Sequence, residues 1–204
     1  MPIARDGLGF RSWQGDGRPA FEDVLLAAAG GDEEAFGTLW RDLQPRLLRY
    51  FRVVSPSVAE DLASETWLGV IRGIDRFEGG EPAFRAWVFT LARHRAIDWR
   101  RRAARRPTVS APVEGLAELP GPDDLVAQVL EGRSTRAALA LVAELPADQA
   151  EVVALRVLGR LEVAEVARIV GKRPGSVRVL AHRGLRRLAS RVEAAAGLVW
   201  GVTR

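Results

Sequence analysis

The sequence predicts an all-α protein of two small helical domains, a four-helix unit and a helix-turn-helix unit, joined by a flexible acidic linker. Three observations carry that reading. Apolar residues recur at helical spacing along most of the chain, while the alternating pattern of strands is nearly absent. Pro107 to Glu131 holds four prolines and five acids without one Lys or Arg, the composition of a solvated connection running into a new helix. A length of 204 residues suffices for two modest cores.

The elements follow in order. Phe21 to Gly30 reads as a short helix and Asp32 to Arg52 as a longer one, with Phe36, Leu39, Trp40, Leu43, Leu47 and Tyr50 or Phe51 along its apolar stripe. Ser55 before Pro56 offers a cap with proline in the first turn, and Ser57 with Glu60 an alternative capping box, for a helix running to about Phe77. Gly79, Gly80 and Pro82 break the chain before a helix from Phe84 to Arg106. Beyond the linker the pattern gives helices over Asp123 to Glu144, Ala147 to Leu158, Glu162 to Val170 and Pro174 to about Val192. The expected units are therefore 20–106 and 123–192, separated by 107–122 and flanked by an N-terminal extension 1–19, expected to be disordered, and a tail 193–204.

Charge is segregated rather than merely positive. Ala20 to Glu65 carries nine acids against four arginines, whereas Arg93 to Arg106 carries seven arginines against Asp98 alone. Lys172 to Val192 holds seven Lys or Arg residues, with His182 and no acid. Two basic patches far apart in sequence attract a polyanion, and guanidinium groups fork toward phosphate oxygens. Zero cysteines exclude disulfides, thiolate metal sites and thiol catalysis, and two separated histidines give little for a metal, so no cofactor or metal is expected. No apolar run approaches a membrane span, and the first residues lack the apolar core of a secretory signal, which together point to the cytoplasm with no membrane insertion.

The segments that carry chemistry lie on these helices. A short helix, a turn with Gly171 and Pro174, and a longer basic helix form a helix-turn-helix pattern. On the last helix Ser176, Arg178, His182, Arg183, Arg186 and Arg187 are polar, while Val177, Leu180, Leu185 and Leu188 supply an apolar face. Gly184 permits close helix packing there. In the arginine helix Phe84, Trp87, Val88 and Leu91 fall at core spacing, and Trp99 stands among arginines as the better candidate for an aromatic facing nucleic acid. Asp61, Glu65, Leu68 and Arg72 share one helical stripe, and no His, Cys or further acid converges with the two carboxylates by spacing.

With these segments in view, the chain resembles the extracytoplasmic-function sigma factors of bacterial RNA polymerase over about residues 20–192. AEDLASETWLGVIRGIDRF at 59–77 looks like the family's region 2.2, FRAWVFTLARHRAIDWRRR at 84–102 like regions 2.3 and 2.4, and the segment from Leu145 to Leu188 like region 4. The resemblance implies a non-enzymatic protein that directs core RNA polymerase to promoter DNA, contacts the β′ coiled coil and the β subunit, helps melt the −10 element and is held by an anti-sigma factor. It assigns the stripe of Asp61, Glu65, Leu68 and Arg72 to core polymerase. For the −10 element it implies Gly79, Gly80, Arg85, Arg93, His94, Arg95, Trp99, Arg100 and Arg101; for the −35 element Arg173, Ser176, Arg178, His182, Arg183 and Arg186.

Two departures stand out. Glu162 replaces the Ser or Thr that commonly begins the penultimate helix, which weakens that cap. Val179-Leu180 replaces a polar Ser-Arg pair in the last helix, so base reading passes to Arg178, His182 and Arg183. The linker, if extended, reaches about 50 Å at roughly 3.3 Å per residue, enough with two domains to span elements two duplex turns apart. The residues alone also fit a stand-alone helix-turn-helix regulator, or an RNA-binding or scaffolding adaptor that uses the arginine helix for its charge; no heptad repeat marks the dimer seam that the regulator would show.

Overall fold

A computed structural model describes residues 20–105 and 135–201, with the backbone alone for 192–201. The extension 1–19, the linker 107–122 with its acids, the expected helix start at Asp123 and the last residues 202–204 lie outside that description. Among the described residues the structure is helical, without strands. The helices are α1 (Phe21–Ala29), α2 (Glu33–Val54), α3 (Ala59–Ile71), α4 (Glu81–Arg105), α5 (135–143), α6 (Ala147–Val157), α7 (Val163–Val170) and α8 (Pro174–Gly201). Short 3-10 turns at Pro56–Val58 and Ile74–Arg76 precede and follow α3. No described helix is long and apolar enough to cross a membrane.

Local chemistry explains most boundaries. Asp32 caps α2 by accepting from the Ala35 amide at 2.7 Å, leaving acids in the first turn where the helix dipole favours them. Neither Ser55 nor Ser57 caps the next helix with its side chain; Ser55 Oγ donates to the Val54 carbonyl at 2.8 Å, and Pro56 opens a 3-10 turn before α3. Helix α3 ends at Ile71 rather than continuing toward Phe77, and a 3-10 turn follows Gly73, which is packed closely against α4. A Cβ on that glycine would lie 3.1 Å from the Trp87 ring. Helix α4 begins at Glu81, three residues earlier than its apolar pattern suggests. The Gly80 carbonyl accepts from Phe84, and Pro82 is tolerated in a first turn that needs no amide donor.

Helices α1 to α4 enclose one core of Phe21, Leu39, Leu43, Leu47, Phe51, Leu62, Val70, Phe84, Val88 and Phe89. Tyr50 and Phe51 are both buried, whereas Trp40, expected on the same stripe, is 43% exposed because it lies on the flank of the row through Leu39, Leu43 and Leu47. Helices α6 to α8 close a second group around Val153, Leu155, Leu161, Val166 and Val177. Each fully buried aliphatic or aromatic side chain contributes about 1.5–3 kcal/mol. The two groups pack on each other, α6 against α2 and α7 against α4.

Helix α7 has a better start than its Glu162 suggests. Glu165 reaches back to accept from the Glu162 amide at 2.6 Å, a capping-box contact that a Ser or Thr is not needed to make. It ends in a left-handed Gly171, φ 67°, with the Lys172 amide closing on the Ala167 carbonyl at 3.0 Å. Helix α8 runs past Val192 to Gly201 and takes in most of the expected tail, since nothing in AAAGLVW stops a helix. Leu185, expected on its buried face, is 49% exposed, while Gly184 is buried against α6.

Candidate functional site

The arginines of α4 divide by helical phase into three sets with different surroundings. Arg93 and Arg100 lie on the side of Tyr50, and Arg93 reaches the second group of helices, while Arg100 is exposed and donates to the Ala96 carbonyl at 3.3 Å. Arg93 Nε donates to Glu151 Oε1 at 3.1 Å, and the Tyr50 hydroxyl donates to the same oxygen at 3.4 Å. Burial, with the Glu151 charge added to it, pushes the Tyr50 hydroxyl above its ordinary range and keeps it a donor. Arg95 and Arg102 lean toward α3: the Arg95 guanidinium lies beside Gly69, and Arg102 approaches Glu65 at 3.9 Å. His94, Asp98, Arg101 and Arg105, spaced four, three and four residues apart, share the remaining face and are exposed.

Arg85 is held elsewhere than an open DNA-facing surface. Its guanidinium pairs with Glu81 one turn back and donates to the Arg160 carbonyl of the second group at 3.4 Å. Arg160 itself has a left-handed φ of 51°. The structure thus brings together His94 and Arg101 on one accessible face, with Arg105 as an addition, and separates them from Arg85 and Arg93, which bind the seam. Trp99 is partly buried and packs on the core, so it is a less open platform than its arginine neighbours suggested.

The loop before α4 lies against an aromatic cluster. Phe77 stacks on Trp87 with ring centroids 5.1 Å apart, and both meet Phe84, which is fully buried. Gly79 has φ 137°, a conformation essentially confined to glycine, and a Cβ would come 3.0 Å from that of Ala83. Gly80 sits near Glu22. Gly79 is therefore set by the sterics of this turn, whereas a side chain at Gly80 would meet only ordinary contacts.

On α3 the stripe faces outward. Asp61 and Arg72 are exposed, Glu65 is half-buried beside Arg102, and Leu68 is 50% exposed. Ile71, 53% exposed, extends the apolar part of the stripe and is not among the residues that the sequence pattern singles out. No metal-like grouping of three or more His, Asp or Glu occurs among the described residues.

Arg173, just before α8, and Ser176, Arg178, His182, Arg183 and Arg186 on it are all exposed. Arg187 and Arg191 do a different job, donating to Gln149 at 3.2 Å and Glu144 at 2.6 Å and so fastening the helix to its neighbours. Lys172 pairs with Asp148 at 2.9 Å beside the start of the helix. Of the Val179-Leu180 pair, Leu180 turns inward onto the core and Val179 turns out, 48% exposed.

An outward acid-and-leucine stripe on one helix, and a helix-turn-helix whose second helix is cationic on its open face, coincide with two family models: Sigma-70 region 2 matches residues 39–106 and Sigma-70, region 4 matches residues 135–188. The ECF RNA polymerase sigma factor ShbA of Streptomyces griseus is 33% identical over 182 residues, 83% of this chain and 94% of that one. The chain belongs to the extracytoplasmic-function sigma factors.

Another relative, the ECF RNA polymerase sigma factor BldN of Streptomyces coelicolor, is 36% identical over 171 residues; the match spans 82% of this chain and 64% of that sigma factor's length. Among solved structures, that of CnrH in complex with the cytosolic domain of CnrY aligns with a TM-score of 0.57 at 21% identity, over 86% of this chain and 99% of that one. The sigma factor RpoE of Bartonella quintana, solved with the anti-sigma factor NepR, aligns with a TM-score of 0.59 at 23% identity, over 78% and 98%. Both share the all-helical fold. The present sigma factor accordingly acts in transcription initiation, and sigma factors are non-enzymatic regulators that bind RNA polymerase and promoter DNA.

Proposed function

We propose that this sigma factor docks on the β′ coiled coil of core RNA polymerase through Asp61, Glu65, Leu68 and Arg72. Residues 20–106 and 123–192 work as two separate reading units, the second also meeting the β subunit. The observation that carries this reading is the apolar pair Leu68 and Ile71, adjacent on the outer face of α3, both about half exposed and flanked by Asp61, Glu65 and Arg72, a patch that a partner would cover. The open face of α8, with Arg173, Ser176, Arg178, His182, Arg183 and Arg186, reads the −35 element as duplex in the major groove. The turn at Gly79 and Gly80 and the arginines of α4 hold the −10 element, with His94, Arg95, Arg100 and Arg101 nearest to hand and Arg85 and Arg93 available once the seam to the second unit parts. The chain carries no catalytic centre of its own, works in the cytoplasm beside the polymerase, and is kept from it by an anti-sigma factor.

The test is co-elution of the full-length chain with core RNA polymerase on size exclusion, wild type against Asp61→Arg/Glu65→Arg. Loss of co-elution by the folded variant supports the reading. Co-elution that survives charge reversal places the polymerase contact elsewhere, and failure of the wild type to co-elute overturns the assignment.

A further inference from the structure

The open face of α8 has a single apolar side chain near its centre. At about 100° per residue, Val179 is turned roughly 160° from buried Val177 and 140° from Gly184, which packs on α6, so it points almost directly away from the core. Its neighbours one turn away are Gly175 and Ser176 before it and His182 and Arg183 after it, all exposed. From Lys172 to Arg191 the helix and its approach contain no acid. Among the described side chains, Leu185, the other exposed large aliphatic residue of this helix, lies about 120° around the axis and does not share the position.

A valine in such a place brings neither charge nor hydrogen bond, and it is too short to reach a phosphate past its arginine neighbours. What it offers is a small branched apolar tip on the part of the helix that enters the groove first. Gly175, one turn earlier, presents no side chain, and a Cβ placed there would meet nothing within 4 Å. The first turn can therefore approach the groove floor closely enough for a short residue to touch it. The floor of the major groove has one apolar feature, the 5-methyl group of thymine.

Resting on the −35 reading above, we infer that Val179 is a specificity-determining residue that selects a thymine in the −35 element by covering its 5-methyl group, with Gly175 providing the clearance and Ser176, His182 and Arg183 the polar surround.

The experiment uses the full-length chain assembled with core RNA polymerase and a promoter duplex randomised across the −35 element. From the tightest-bound sequence, each thymine is replaced singly by deoxyuridine, which removes the methyl group and leaves every hydrogen-bonding atom in place. The expected result is a loss of roughly fourfold in affinity at one thymine, the effect of withdrawing one methyl group from an apolar contact. With Val179→Ala, a surface change that leaves the core untouched, the thymine and deoxyuridine duplexes should bind alike, while Val179→Ile keeps the discrimination. Selection of a defined sequence in which no deoxyuridine replacement matters, or a methyl effect that persists unchanged in Val179→Ala, overturns the inference and leaves the −35 reading standing. Absence of any selected sequence overturns the −35 reading itself.

Discussion

Arg93 on α4 and Glu151 on α6 form an ion pair at 3.1 Å across the junction of the two helical groups, with 22% and 13% of their side chains exposed. The arginine belongs to the basic stretch that the sequence marks for DNA. In this arrangement it is spent on holding the halves of the protein together. Truncating its partner, Glu151→Ala, leaves a mostly buried guanidinium without its carboxylate and takes the acceptor from Tyr50 as well. Stability in urea unfolding should fall by about 1–3 kcal/mol. Small-angle scattering should show a larger radius as the groups separate; an unchanged radius would mean that the apolar contact of α6 with α2 suffices by itself.

Tyr50 gives the same junction a reporter, because it is the only tyrosine in the chain. Its hydroxyl ionises above the ordinary range, first because it is buried and second because Glu151 is negative. The neutral form is thus the one the fold favours. The linked stability is fully present below about pH 10, where an unfolded tyrosine ionises, and is lost as pH climbs toward the folded value. Tyrosinate absorbance should therefore stay absent in the folded chain past pH 10 and rise together with loss of helical circular dichroism. A smooth titration centred near pH 10 with the helices intact would show that the hydroxyl is open to water.

The helix-turn-helix depends on a contact that admits no side chain. A Cβ at Gly184 would stand 2.7 Å from Val153 Cγ2 and 3.5 Å from both Gln149 Cβ and Leu145 Cδ1. Gly184→Ala should destabilise by about 1–3 kcal/mol through overpacking, despite the gain in helix propensity. Val153→Ala opens space at the same spot, so the double variant should recover part of the loss, measured as a coupling energy in a double-mutant cycle. Additive losses would mean that the clash is relieved by movement of the whole of α8.

On the open face of α4, Arg101 has, among the described residues, a loose partner in Asp98 at 4.0 Å, with both side chains more than half exposed. In holoenzyme bound to promoter DNA, Arg101→Ala should weaken binding alike for all sequences and lower the slope of log affinity against log salt by about one. A change in which sequence is preferred would instead make Arg101 a reader of bases.

Much of this architecture was legible because its punctuation is local. Asp32, Gly79, Gly80, Gly171 and Pro174 mark helix ends through chemistry within a few residues, and the row Leu39, Leu43, Leu47 declares its buried side by spacing alone. The outward stripe on α3 and the open face of α8 were legible for the same reason. What escaped depends on residues distant in sequence. The close packing of Gly73 answers to the ring of Trp87, and the employment of Arg93 answers to a glutamate 58 positions away, beyond the linker. Periodicity says which side of a helix a residue occupies; it does not say what stands across from that side. Leu185, read as part of a buried face, and Ile71, left unremarked, share a related ambiguity, since an exposed apolar residue looks the same in sequence as one already in a core.

The three-way division of α4 leaves that helix with no idle strip along its length. A substitution scan scored by folding should trace a wave of about 3.6 residues per cycle, intolerant at Phe84, Val88, Ala92 and Ala96 and permissive at His94, Asp98, Arg101 and Arg105. Scored by transcription, the permissive crests should become sensitive in their turn if that face holds promoter DNA as proposed. The two records would then run out of phase, and neutral drift would be left with almost nowhere on this helix to accumulate.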